Sequence, residues 1–310
     1  MRVFIAGAGG MVGSAIKLAY QSANYNLLTP SRSELDYSDY SSTKKYFMRE
    51  KPDLIIDAAA TVGGILANNS NPVRFLDDNL TIQNNLMRAA HFAKVPKFVF
   101  LGSSCIYPRD CAQPIKEEYL LTGLLETTNS AYAIAKIAGI ELINAYRKEF
   151  GYPWISLMPT NLYGPRDNFN LVESHVLPAF IRRFIEAVET GVDKVTLWGS
   201  GNPLREFLHV ADLANAVLIA AEKYDSDMHL NVGTERGLPI KELGQKVSLA
   251  TGFTGTIEWD ASKPDGTPEK VLDTSRIKAL GWKPTITLDE GIASTIAWYK
   301  EANARGEVRK

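Results

Sequence analysis

The chain has 310 residues, 45% of them hydrophobic and 22% charged, with a formal net charge of -1. This is a globular composition with apolar material for one or two domains, and its balanced charge offers no electrostatic reason to bind nucleic acid or an anionic membrane surface. Two cysteines, Cys105 and Cys111, are too few for a disulfide framework, and no apolar run approaches the roughly 20 residues that span a bilayer, so a cytoplasmic protein is expected.

The predicted elements begin with a short apolar strand, Arg2–Ala6, which runs into Gly7-Ala-Gly-Gly10-Met-Val-Gly13 and then a helical pattern over 14–21. The start is basic and then apolar, as in a signal peptide, but the glycines interrupt the apolar region. Glycines between a strand and a helix permit a tight turn and let the backbone approach a pyrophosphate at the helix N-terminus. Gly7, Gly10, Met11 and Val12 are the residues expected around it. There follow a strand at 27–29, a helix at 41–48, a strand at 54–58, a helix at 79–93, a strand at 98–102, a helix at 131–150 and a strand at 155–158. Continuous apolar strands alternating with helices predict a parallel sheet covered on both faces, the doubly wound α/β Rossmann fold.

Beyond Pro165 the pattern loosens, with helices at 177–189 and 213–223 among short strands at 195–198 and 229–232. The reading is an NADP-binding Rossmann domain over 1–165 and a smaller mixed α/β substrate-binding domain over 166–310, with a segment of the second returning to the first.

The strand at 27–29 ends in Thr29-Pro-Ser-Arg32. A residue placed there meets the adenosine ribose, where a carboxylate favours NAD and an arginine favours the 2′-phosphate of NADP. Arg32 therefore points to NADP, with Glu34 and Asp36 as alternative ribose or adenine contacts.

The chemistry-bearing residues follow the fourth strand. Tyr132 and Lys136 stand at i and i+4 on one helix face, where an ammonium can draw a phenol down from its usual pKa near ~10. Ser103, at a strand end, can polarise the same substrate oxygen. These are the parts with which a short-chain dehydrogenase moves a proton while a nicotinamide moves a hydride. Cys105, two residues further on, suggests a second acid–base site and hence a second reaction.

The chain resembles the extended short-chain dehydrogenases that act on nucleotide sugars, and most closely the GDP-L-fucose synthase family. The resemblance runs through Ala59-Ala-Thr-Val-Gly-Gly64, Leu101-Gly-Ser-Ser-Cys-Ile-Tyr-Pro108, Tyr132-Ala-Ile-Ala-Lys-Ile-Ala-Gly139, Met158-Pro-Thr-Asn-Leu-Tyr-Gly-Pro165, Asp167-Asn-Phe169, Ser174-His175, Trp198-Gly-Ser-Gly201, Arg205-Glu-Phe-Leu-His209 and Lys263-Pro-Asp-Gly-Thr-Pro268. It implies 3,5-epimerisation and then NADPH-dependent 4-reduction of GDP-4-keto-6-deoxy-D-mannose to GDP-L-fucose, by a homodimer that needs no metal. It assigns Cys105 as base and His175 as acid on opposite sugar faces. It gives Ser103, Tyr132 and Lys136 to the reduction, and Leu101, Lys136, Asn161, Leu162 and His175 to the cofactor. Arg183, Trp198, Arg205 and Asp265 fall to the GDP-sugar.

The sequence departs from the family at Ala8-Gly9, where a histidine and an NADP-supporting arginine are common. It departs again at Glu269, in place of a basic residue, and at Ala211, in place of an acidic one. Competing readings are a 4,6-dehydratase, which would want an acid pair where Ser104-Cys105 stands, and a 4-epimerase, which has no use for Cys105 or His175. A non-catalytic NADP-binding regulator, a simple 4-keto reductase and a sister enzyme making GDP-L-colitose complete the set.

Overall fold

The computed structural model describes residues 1–263 and 265–309, so Pro264 of the 263–268 motif and the terminal Lys310 lie outside it. In chain order the elements are β1 (Arg2–Ala6), α1 (Met11–Ser22), β2 (Asn26–Leu28), α2 (Tyr40–Glu50), β3 (Leu54–Asp57), α3 (Ile65–Ser70), α4 (Pro72–Phe92), β4 (Lys97–Leu101), α5 (Ser130–Phe150), β5 (Ile155–Pro159) and β6 (Asn161–Tyr163). They continue with α6 (Val176–Thr190), β7 (Lys194–Trp198), β8 (Leu204–His209), α7 (Val210–Lys223), β9 (Leu230–Val232), β10 (Gly237–Pro239), α8 (Ile240–Thr251), β11 (Thr256–Asp260), β12 (Glu269–Lys270), α9 (Ser275–Ala279) and α10 (Leu288–Ala304).

Six strands form a parallel sheet in the order β2-β1-β3-β4-β5-β9. Successive residues of β1 explain why helices cover both faces. Val3 and Ile5 pack with Ile16, Leu213 and Val217 on one side, while Phe4 and Ala6 pack with Phe47, Leu86 and Ile140 on the other. The strand order reverses at β1, since β2 lies on one side of it and β3 on the other. In such sheets ligands bind in the crevice beyond the carboxyl ends at that point. The last strand of this sheet, β9, comes from beyond residue 165. A third apolar cluster gathers Phe169, Phe180, Phe184, Leu197, Phe207, Leu243, Ile292 and Tyr299. Beside it β8 pairs with β6, β10 and β12, and β7 pairs with β11.

Two predicted boundaries move for physical reasons. Helix α1 begins at Met11, because Gly10 is already the extended cap residue. Helix α4 begins at Pro72, whose ring presets φ for a first helical turn, rather than at residue 79. Elements α3, β6, β8, β10, α8, β11, β12, α9 and α10 have no counterpart in the sequence reading.

Candidate active site

The crevice has two ends. At one, the chain leaves β1 through Gly7 with φ +73°, and a Cβ at Gly13 would lie 2.2 Å from the Gly7 carbonyl oxygen. Only glycine lets the loop fold this tightly over the helix. The N-terminus of α1 has no side-chain cap and no acidic residue in its first turn, so its N–H groups and the positive end of the helix dipole stand ready for an anion. Arg32 is exposed on the turn beyond β2. Its alternatives are occupied within that turn: Glu34 accepts from the Ser31 N–H and hydroxyl, both at 2.7 Å, and Asp36 accepts from the Ser38 N–H at 3.0 Å. Asp57 closes β3 at the strand-order reversal; one oxygen accepts from the Ala59 N–H at 3.1 Å, and the other is buried without a partner among the described residues. Burial pushes the Asp57 carboxyl up to about 6, against the pull of Lys136. The cradle, the uncapped helix, the exposed arginine and the orphaned oxygen fit a phosphorylated dinucleotide.

At the other end β4 delivers Ser103, which caps a short 3₁₀ turn at Ser104–Ile106 and accepts from the Cys105 N–H at 3.3 Å. One tight turn thus fixes the hydroxyl and the thiol relative to each other. Helix α5 brings Tyr132 and Lys136 over the same turn, with the phenol hydrogen-bonded to Ser103. Lys136 is 2% exposed, donates to the Leu101 carbonyl at 3.0 Å and lies 4.8 Å from the centre of the Phe100 ring. Burial lowers its pKa to about 8, opposed by Asp57.

One expectation is corrected here. Lys136 does not draw the Tyr132 phenol down: burial raises that group well above its ordinary range, the nearby Cys105 adds to the rise, and the Ser103 hydrogen bond opposes it. The phenol is protonated at neutral pH, the state a proton donor requires.

His175 is the extended cap residue of α6, yet its ring makes no capping bond. The residue as a whole is exposed, while burial of its imidazole and then the Lys270 ammonium lower its pKa below the usual 6.5. Lys270 itself donates to the Cys105 sulfur at 3.7 Å. Sequence reading missed Lys270 as a site residue; the approach of β12 to the turn after β4 is a tertiary event with no local signal.

The residues assigned to the nucleotide sugar form an adjoining group. The Arg183 guanidinium lies 5.2 Å from the centre of the Trp198 ring, with the Lys263 ammonium at 5.7 Å. Asp265 accepts from the Ser200 N–H at 2.8 Å and its hydroxyl at 2.7 Å. Arg205 donates to the Asp265 carbonyl at 3.2 Å and also faces Cys105, so it joins the two groups. Lys263 is a further cation that the reading left unassigned. Asn161 donates to the Glu206 carbonyl at 2.8 Å, tying β6 to β8, and Leu162 packs against the apolar cluster shared by β1 and β5. Arg32 stands apart, at the far end of the crevice.

Residues 3–233 match the model of the NAD dependent epimerase/dehydratase family. The chain is 50% identical to the putative GDP-L-fucose synthase 2 of Arabidopsis thaliana, over 97% of this chain and 92% of that one. It is 47% identical to the GDP-L-fucose synthase of Escherichia coli K12, over 98% of each. Its fold superposes with a TM-score of 0.90 on a GDP-L-fucose synthetase from Naegleria fowleri bound to NADP, at 28% identity over 100% of this chain and 96% of that one.

Proposed function

The chain belongs to the NAD dependent epimerase/dehydratase family and, within it, to the GDP-L-fucose synthases; on that footing we propose how its own residues divide a two-stage reaction. The enzyme epimerises GDP-4-keto-6-deoxy-D-mannose at C3 and C5 and then reduces C4 with NADPH, giving GDP-L-fucose. The observation that carries the reading is the meeting of two acid–base sets in one cleft. Cys105 shares a turn with Ser103, which is hydrogen-bonded to Tyr132, and the Lys270 ammonium that touches the Cys105 sulfur also acts on His175.

The 4-ketone acidifies the hydrogens on both neighbouring carbons. Cys105 as thiolate removes each in turn, and Ser103 with Tyr132 holds the enolate oxygen by hydrogen bonds. His175 returns the proton on the opposite face; its lowered pKa makes the imidazolium scarce but a stronger acid when formed. NADPH, when bound, supplies the hydride that reaches C4. Tyr132 protonates the oxygen at that stage, and Lys136, buried beside it, holds the nicotinamide ribose. The uncapped α1 and Gly7–Gly13 cradle the pyrophosphate, and Arg32 pairs with the 2′-phosphate. Arg183 and Arg205 hold the GDP diphosphate, Trp198 packs on the guanine, and Asp265 accepts from guanine or a sugar hydroxyl.

Residues 1–165 carry the cofactor half and 166–310 most of the substrate half. We place the enzyme in the cytoplasm as a homodimer; among the described residues no helix is long and apolar enough to cross a membrane.

The test is incubation with GDP-4-keto-6-deoxy-D-mannose and NADPH followed by NMR of the product. GDP-L-fucose is expected. Retention of the D-configuration at C5 would make the enzyme a simple 4-keto reductase, and absence of NADPH oxidation would remove the reductive role.

A further inference from the structure

We propose that Lys270 is a positioning residue that holds the Cys105 sulfur as thiolate, so that the strand closing the nucleotide-sugar side of the cleft also arms the base. The proposal rests on the acid–base role given to Cys105 above.

The geometry begins with strand register. Lys270 on β12 stands opposite Arg205 on β8, so two cations are delivered side by side towards one sulfur. They are not equivalent. Arg205 donates to the Leu204 carbonyl at 2.8 Å and the Asp265 carbonyl at 3.2 Å, whereas the hydrogen bond of the Lys270 ammonium is to the Cys105 sulfur.

Nor is Lys270 on a swinging loop. Just before it, Leu204 N–H donates to the Pro268 carbonyl at 2.9 Å, and the Gln113 side chain donates to the Glu269 carbonyl at 3.2 Å. Just after it, Val271 N–H donates to the Gln113 side chain and Leu272 N–H to the Glu206 carboxylate, both at 3.0 Å. The backbone that carries the ammonium is pinned on both sides of the residue.

The charged and titratable groups facing the sulfur can be taken element by element. Arg205 comes from β8 and Lys270 from β12; Tyr132 from α5 is protonated, and His175 at the start of α6 is mostly neutral at pH 7. Glu126, ahead of α5, lines the same pocket, but its carboxylate is paired with Arg109 at 3.4 Å. Cation therefore exceeds free anion around the thiol, the arrangement that favours thiolate. The same ammonium disfavours a second positive charge on His175, so the cation that favours the thiolate base also keeps the imidazolium acid scarce.

The test needs no sugar. In a Cys111→Ser background, iodoacetamide alkylation of Cys105 is followed by mass spectrometry across pH 5–10; thiolate sulfur forms the new bond to carbon as iodide leaves. Lys270→Gln should raise the pH of half-maximal rate by about one unit or more, slowing alkylation at pH 7 by about tenfold. Lys270→Arg should recover most of that loss. Lys270→Met keeps the aliphatic stem and drops the charge, and supplies the same reading should the Gln variant fail to fold. With substrate present, the pH profile of solvent-deuterium uptake should move in the same direction. A charge-free variant whose alkylation profile overlays the parent's overturns the proposal, as does a loss that Arg fails to restore. Failure of the functional reading is separate, appearing as absence of product from the unaltered enzyme.

Discussion

Removing one atom at a time should separate the two chemistries, because the proposed base and the proposed reductive acid are different side chains on different elements. Cys105→Ser keeps the size of the group but replaces an ionisable thiol with a hydroxyl that hardly ionises. Deuterium exchange from solvent at C3 and C5 should stop, while Ser103, Tyr132 and Lys136 still permit reduction to an un-epimerised 6-deoxy sugar. His175→Asn should leave exchange running and block inversion, for want of an acid on the other face. Mass spectrometry and NMR of the product read both outcomes, and normal deuteration with L-configured product from Cys105→Ser would take Cys105 out of the mechanism. Tyr132→Phe should lower the reduction rate by about 10²–10⁴-fold; NADPH oxidation at the parent rate would show that another group is the acid. Ser103, Cys105, Tyr132 and Lys136 were legible in the sequence because helix pitch or a single turn fixes their mutual positions. Lys270 was not, since 165 residues separate it from the sulfur it touches. The rise in the Tyr132 pKa was equally hidden, because burial is set by the whole fold.

Among the elements, the strand–glycine–helix unit at the N-terminus was legible in its order, with the helix start three residues late, because Gly7, Gly10 and Gly13 serve a local geometry. The turn after β2 was legible in kind. With Glu34 and Asp36 bound to their own backbone neighbours, Arg32 is the group we propose to distinguish the two dinucleotides. NADPH should outcompete NADH, and Arg32→Ala should narrow the kcat/KM ratio by about tenfold or more, since a charge-assisted hydrogen bond contributes about 1.5–3 kcal/mol. Equal ratios for the parent enzyme would refute this, and Ala8-Gly9 in the loop leaves no second arginine there to mask the effect. The later elements escaped the reading. Strand β12 has only two residues, too few for any alternation to register, and β6 and β10 have three each. Helices α8 and α10 are long enough to carry a pattern, yet each buries an internal glycine, Gly244 and Gly291, that weakens a helical signal.

Across the whole molecule, buried titratable groups tie stability to pH with opposing signs. His229, 3% exposed, has its Nε2 2.9 Å from the Tyr107 oxygen, while that hydroxyl donates to Asn231 at 2.5 Å. The phenol's one proton is thus committed, and the His229 Nε2 must be the donor to its oxygen. Burial lowers the His229 pKa from 6.5 to about 4. The folded state therefore holds an advantage that is complete above pH 6.5 and disappears as the pH falls towards 4, worth about 3 kcal/mol at about 1.4 kcal/mol per pH unit. Asp57 and Asp167 act the other way: burial raises them to about 6 and about 7, so what they contribute is present in acid and lost as the pH rises through those values. His229→Gln keeps a donor for the Tyr107 oxygen and cannot take up charge. Its melting temperature should fall less steeply than the parent's between pH 6.5 and 4, and parallel curves would show that His229 does not set the acid limit.

The sixth strand of the main sheet has one more consequence, for how the protein can be divided. Since β9 covers the flank of β5, a polypeptide stopped at residue 165 would present the row Ile155–Pro159 unpaired, an apolar ribbon with open N–H and C=O groups. Tyr107 would also lose both of its polar contacts, His229 and Asn231. Such a fragment should collect in the insoluble fraction on expression, and adding 166–310 as a separate chain during refolding should recover soluble material. A monomeric, NADPH-binding fragment 1–165 would show that the cofactor half is autonomous after all. If it is not, the two halves are one folding unit, because the second supplies a stave to the sheet of the first.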